Sequence, residues 1–244
     1  MSGHSHAKTI KHQKDITDQK RGQMFSKMAR LISVAVKEGG PNPETNNKLK
    51  IAMETARNFN MPKDNVERAV NRAIGEGGSE KLEEVLFEAY GPGGIAVIIE
   101  GITDNKNRAL GEVKQILGQD GGKLIGEGGI KWMFSKQGCI IVNSKLQNEE
   151  LGNKEKLELM AIESGAEDLS WREDYLEVYT KPEDLDKIRR TMEEKNIKLE
   201  SYSLNWEPKE EIELDEKQKT ACQKLFEDLD ESDSVQNVYS NLKE

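Results

Sequence analysis

Three histidines and three lysines crowd the first fourteen residues: His4, His6, Lys8, Lys11, His12 and Lys14. Imidazoles can ligate metals or move protons. Ammonium groups spaced by three can neutralise successive phosphates. The chain has no other histidine, so a His-based triad in a folded cleft is excluded. No cysteine stands near these imidazoles at a zinc-ligand spacing. Were Met1 removed, Ser2-Gly3-His4 would offer an amine, two amides and an imidazole, a square-planar set suited to Cu(II) or Ni(II), but nothing gives that set a role. The two cysteines, Cys139 and Cys222, form neither a disulfide framework nor a metal spacing and read as half-buried thiols. Gly121-Gly122-Lys123-Leu124 lacks the spacing and the hydroxyl residue of a phosphate loop. Gly126-Glu127-Gly128-Gly129 lacks the dinucleotide fingerprint. These glycines read as turns and points of close backbone approach. The expectation is no catalytic residue, no metal, no cofactor and no enzymatic activity.

What remains is the lysine chemistry, and the charge distribution supports it. The net charge of the 244-residue chain is −9, but it is unevenly spread. Residues 1–74 carry 14 Lys+Arg against 7 Asp+Glu, a net of +7, and the remainder carries −16. A basic end on an acidic body is the asymmetry of a protein that presents one end to polyphosphate. The hydrophobic fraction is 35% and the aromatic fraction 5%, which suits several small aliphatic cores. No stretch approaches the ~20 apolar residues of a membrane span, and the start has no apolar signal core. The expected location is the cytoplasm.

Residues 1–16 form a basic arm with almost nothing to bury, expected to be poorly ordered without a partner. A helical domain follows over 17–79. Phe25, Met28, Ile32, Ala35 and Val36 recur at helical spacing and predict a helix over Asp18–Lys37. Lys20, Lys27, Arg30 and Lys37 fall on its other side, and Glu38 to Pro43 terminates it. Further helices are predicted over Thr45–Asn58 and from about Pro62. No helix-turn-helix spacing is evident. Beyond the linker Gly75–Ser79 the pattern changes to short strands and helices. Strands are expected at Val85–Tyr90, Ile95–Gly101, Trp132–Phe134, Cys139–Val142, Tyr175–Thr180, Leu199–Trp206 and Val235–Tyr239. Helices are expected at Asn105–Gln119, Glu149–Glu163, Glu183–Lys195 and Glu216–Leu229. The segment 138–202 is close to a complete β-α-β-β-α-β unit. The fold class is therefore a three-helix domain followed by two α+β domains. A ferredoxin-like third domain (138–202) is inserted in the second, which comprises 80–137 plus 203–244.

Gly3-His4-Ser5, Ile10-Lys11-His12, Lys20-Arg21-Gly22, Phe25-Ser26-Lys27, Glu38 to Pro43, Asn60 to Ala69, Tyr90 to Gly94 and Thr103 to Arg108 occur in one order along the chain. Together they resemble the YebC/PmpR family, which includes the mitochondrial translational activator of cytochrome c oxidase. The resemblance implies the same three-domain fold and a regulatory protein without catalysis. It implies DNA-binding transcriptional regulators among bacterial members, and translation factors acting at the ribosome among organellar and some bacterial ones. Family members commonly have Lys-Trp where this chain has His6-Ala7, so the arm lacks an aromatic for stacking and acts by charge.

The expected nucleic-acid-binding residues are Lys8, Lys11, His12, Lys14, Lys20, Arg21, Lys27 and Arg30, acting by phosphate neutralisation and counterion release. The expected partner is DNA. Ribosomal RNA or mRNA, with the ribosome itself, is the alternative, and a protein–protein adaptor is the second alternative. No membrane partner is expected, and the sequence leaves the oligomeric state open.

Overall fold

A computed structural model describes residues 2–3, 18–75, 81–148 and 153–243. The chain divides into two compact units, one holding residues 18–135 and 207–243 with the short strand at Ser2–Gly3, the other Lys136–Trp206.

Three helices open the first unit: α1 (Asp18–Gly39), α2 (Asn47–Asn58) and α3 (Lys63–Ile74). Met28, Ile32, Ala35 and Val36 of α1 pack with Leu49, Ala52 and Ala56 of α2 and Val66 and Ala69 of α3. Asn46 ties the first turn. Its Oδ1 caps α2 at Leu49 N, 3.0 Å, while its Nδ2 donates to the carbonyls of Ala35 and Gly40. Gly39 lies so close that a Cβ there would sit 2.6 Å from the Asn46 amide. Pro62 stands at the N-cap of α3, just before the first helical residue, with its φ of −58° already helix-compatible.

The same unit holds a mixed sheet in the order β1-β9-β3-β2-β4. Its strands are β1 (Ser2–Gly3), β2 (Glu83–Tyr90), β3 (Ala96–Thr103), β4 (Lys123–Ile125) and β9 (Val235–Ser240). Helices α4 (Lys106–Gln119) and α7 (Glu216–Glu231) cover one face. There Ala89, Val97, Ile99, Val113, Leu117, Leu225, Phe226 and Val238 form an aliphatic core. β1 runs parallel to β9, pairing Ser2 with Val238 and Gly3 with Tyr239. The edge of β9 thus offers the first two residues after Met1 backbone partners, and the rest of the arm lies outside the described residues.

The second unit is the expected β-α-β-β-α-β arrangement, with sheet order β6-β7-β5-β8. Its elements are β5 (Phe134–Asn143), α5 (Lys154–Ser164), β6 (Asp168–Arg172), β7 (Tyr175–Thr180), α6 (Leu185–Glu194) and β8 (Ser201–Pro208). β5 pairs antiparallel with β7 in the second unit, matching Ile140 to Val178. The third domain is inserted in the second, so β5 and β8 carry the chain out of the first unit and back.

Two local expectations differ. Trp132–Phe134 is not a strand: Lys131–Met133 forms a single 3-10 turn, and Phe134 begins the ten-residue β5 that also contains Cys139–Val142. The turn forms because the backbone N–H groups of Gly128, Ile130 and Lys131 are drawn to Glu88 instead of to a ladder. The short strands β4 and β6 carry too few residues for an alternation to show. Among the described residues, no helix is long and apolar enough to cross a membrane.

Candidate nucleic-acid interface

Of the eight residues expected to meet phosphate, Lys8, Lys11, His12 and Lys14 lie outside the described residues. The other four lie on α1, and the structure divides them. Lys20 and Arg21 are exposed in the first turn of the helix, next to the arm. Lys27 is turned inward, which corrects its reading as a surface cation, while Arg30 is half-buried and donates to the Asp233 carbonyl.

The reason is the C-terminal end of α7. The last carbonyls of a helix lack partners within it, and the helix dipole makes that end negative. Gln23, Lys27 and Arg30 follow each other at spacings of four and three, and so share one face of α1. Gln23 Nε2 donates to the Glu231 carbonyl, Lys27 Nζ to the Asp230 carbonyl at 2.6 Å, and Arg30 to the Asp233 carbonyl. Lys27 is only 2% exposed. Burial pushes its ammonium down to about 8. Asp233 opposes that shift, Arg30 adds to it, and Glu112 opposes it again. Lys27 thus caps α7, and with Arg30, which reaches the Asp233 carbonyl just past the helix, it ties the three helices to the α+β part of the same unit. A second tie comes from Lys48 of α2, whose Nζ bridges Glu38 at 2.7 Å and Glu84 of β2 at 2.6 Å. The hydrogen bonds and two carboxylates raise its pKa even though partial burial lowers it.

Charge on the outer surface of the three helices comes partly from residues the sequence reading passed over. Arg57 at the end of α2, Lys63 at the start of α3 and Arg72 in its last turn are exposed. Arg57 pairs with Glu54 at 2.9 Å and Lys63 with Glu67 at 3.4 Å, surface pairs worth little and easily exchanged for a phosphate. Arg68 is held along its own helix by the Asp64 carbonyl and the Asn65 side chain. The helical periodicity of α3 that places Val66 and Ala69 inward also places these cations outward, and that signal was available in the sequence.

Both cysteines are buried, and burial pushes the Cys222 thiol up, away from the reactive thiolate. No His/Cys/Asp/Glu group able to hold a metal occurs among the described residues.

Two family models cover almost the whole chain: the TACO1/YebC protein N-terminal domain matches residues 5–76, and the TACO1/YebC second and third domain matches residues 82–242. The chain belongs to the TACO1/YebC family. Relatives named probable transcriptional regulatory protein occur in Caldanaerobacter subterraneus, 43% identical over 100% of this chain and 98% of the relative, and in Dictyoglomus turgidum, 40% identical over 99% and 96%. The crystal structure of a conserved hypothetical protein from Aquifex aeolicus superposes with a TM-score of 0.83 at 39% identity, over 93% of this chain and 91% of that one. The boundary between the two TACO1/YebC models falls at residues 77–81, where the helical part gives way to the first sheet.

Proposed function

We propose that this chain is a non-enzymatic, cytoplasmic regulator of gene expression that binds nucleic acid through its basic N-terminal region. The observation that carries the reading is the charge division, +7 on residues 1–74 against −16 on the rest. The names of the TACO1/YebC relatives support a regulatory role.

In this reading Lys8, Lys11, His12 and Lys14 of the arm each neutralise phosphate, as do Lys20 and Arg21 at the head of α1. Arg57, Lys63 and Arg72 extend this role across the helices. Lysine suits such contacts because it is a flexible point charge that satisfies any phosphate nearby. Lys27 and Arg30 hold the helical part against α7 and contribute no direct contact. The binding is driven by counterion release, and the acidic body orients the molecule by repelling the same polyanion.

DNA is the leading target, in keeping with the relatives' naming. Ribosomal RNA or mRNA is a second reading, favoured by the strongly acidic body, which suits a partner with mixed protein and RNA surfaces such as the ribosome. Genome-wide DNA crosslinking run beside ribosome co-sedimentation separates the two. Enrichment on DNA alone supports the first, co-sedimentation that survives nuclease treatment of free DNA supports the second, and the absence of both signals would overturn the nucleic-acid reading itself.

A further inference from the structure

Far from the N-terminal cations in sequence, the first unit displays a tryptophan that its own fold does not bury. Trp132 is 67% exposed. A surface tryptophan on a loose loop would mean little, but this loop is held firmly. Glu88 of β2 is 2% exposed, and its two carboxylate oxygens accept from Gly128 N at 2.6 Å, Ile130 N at 2.7 Å and Lys131 N at 2.9 Å. Burial alone would raise the Glu88 pKa, but the three N–H groups, with Lys131, more than offset it and hold the carboxyl ionised below its usual range. Ile130 is fully buried and acts as the anchor of the loop. Gly128 has a φ of +81°, a left-handed conformation that favours glycine. The loop is therefore tied to β2 through Glu88. The residue it then presents is Trp132, whose indole Nε1 donates back to the Gly129 carbonyl at 3.0 Å and fixes the plane of the ring.

The surroundings narrow the choice of partner. Lys131 precedes the indole, and Lys209 Nζ donates to the Trp132 carbonyl at 2.8 Å, leaving ammonium hydrogens free to take a phosphate. On the same face of the sheet as Glu88, Tyr90 is 41% exposed and stands directly opposite Lys123. That pair lies two strand positions from Glu88, about 7 Å along the strand. The loop's other exposed residues are glycines and Glu127, so no continuous apolar patch surrounds the indole as a hydrophobic protein interface would need. Glu127 and Glu210 temper the cations, so flat π-stacking rather than bulk charge must carry the interaction. An oriented aromatic on a tethered loop, with Lys131 next to it in the chain and Lys209 bonded to its carbonyl, is the pattern of a stacking platform for unpaired bases. Unpaired bases are displayed chiefly by RNA loops, bulges and ends.

We propose that Trp132, with Lys131 and Lys209 at its margin, is a second nucleic-acid site that stacks on an unpaired base of single-stranded RNA. The site rests on the reading that this protein works on nucleic acid, but it uses none of the residues assigned to the N-terminal surface. The test uses the full chain and a single-stranded RNA carrying one 2-aminopurine, whose fluorescence falls when it stacks on an aromatic ring. A fully paired duplex of the same sequence and a single-stranded DNA serve as comparisons. Wild-type protein should quench the single-stranded RNA and leave the duplex probe unchanged. Trp132→Ala should lose the quenching and weaken binding about tenfold or more. Trp132→Phe should keep part of both, and because the side chain is exposed, neither variant should change the melting temperature. Lys8, Lys11 and Lys14 changed together to Ala should weaken binding of every probe and keep the quenching of whatever RNA remains bound. Equal quenching by wild type and Trp132→Ala would overturn the proposal and leave the N-terminal reading intact. So would equal quenching of duplex and single strand, or single-stranded DNA preferred over RNA. Loss of binding on changing Trp132 with no loss on changing the arm lysines would overturn the N-terminal reading and leave this site standing.

Discussion

The buried ammonium of Lys27 gives the sharpest prediction on stability. Its pKa falls from an ordinary 10.5 to about 8 as the side chain leaves water to cap α7. At about 1.4 kcal/mol per tenfold change in proton affinity, the charged form is disfavoured in the fold by about 3 kcal/mol. The sign follows from the lowered value: between pH 8 and 10.5 the unfolded chain binds more protons at this site than the folded one, so stability rises with pH there. Below pH 8 both states are charged and the penalty is constant. The side chain stays a donor after losing its proton, so the Asp230 carbonyl keeps its partner. Denaturant unfolding followed by circular dichroism at pH 7 and pH 10, for wild type and Lys27→Met, isolates this group. The wild-type chain should gain about 2.5 kcal/mol on Lys27→Met over that interval. A difference that stays flat, or runs the other way, would show that Lys27 is a solvated cation and that its assignment as an internal tie is mistaken. Because the ammonium is turned inward, the same variant should leave the salt dependence of nucleic-acid binding unchanged.

Glu88→Gln removes a buried carboxylate that accepts three N–H groups, and should cost about 2–3 kcal/mol in denaturant unfolding. Since the Glu88 pKa is lowered in the fold, its stabilising effect is present above the ordinary carboxylate range and fades as pH falls through the folded value, so the gap between wild type and variant should narrow in acid. Gly101→Ala would place a Cβ 2.4 Å from the Ser234 carbonyl, where the pairing of β3 with β9 shifts register, and should lower stability by about 1–3 kcal/mol in a thermal melt. Arg30→Ala frees the Asp233 carbonyl and should make the amides of α1 exchange faster than those of β3, a hydrogen-exchange contrast that a purely surface Arg30 would not produce.

The fold was legible wherever a periodic pattern ran for several turns. The stripe Met28, Ile32, Ala35 and Val36 located α1, and the inserted domain was legible as a near-complete β-α-β-β-α-β unit, with the strand Asp168–Arg172 missed. What escaped was decided by tertiary partners. Trp132 reads as a strand residue by propensity, but Glu88, forty-odd positions earlier, draws the adjoining N–H groups out of any ladder. Lys27 reads as a surface cation on a helical wheel because a wheel shows one buried face. α1 has a second one, formed only when the end of α7, some two hundred residues later, supplies carbonyls that want a positive donor. The candidate site was legible as charge, through the division between the two ends of the chain. The division of labour within that charge was not, since Lys20 and Lys27 differ only in what lies opposite them.

The central claim is that basic N-terminal residues bind nucleic acid by phosphate neutralisation, and a salt titration tests it most directly. Affinity of the full chain for two unrelated DNA duplexes is measured from low to moderate salt, for wild type and for the protein with Lys8, Lys11 and Lys14 changed to Ala. Wild type should bind both duplexes with a steep decline in log affinity against log salt. The variant should bind both more weakly and to the same degree, with the slope flattened by about two to three, near 0.9 for each lost contact. A variant whose salt slope and nonspecific affinity equal those of wild type, or a wild-type protein with no salt-dependent binding at all, would contradict the account.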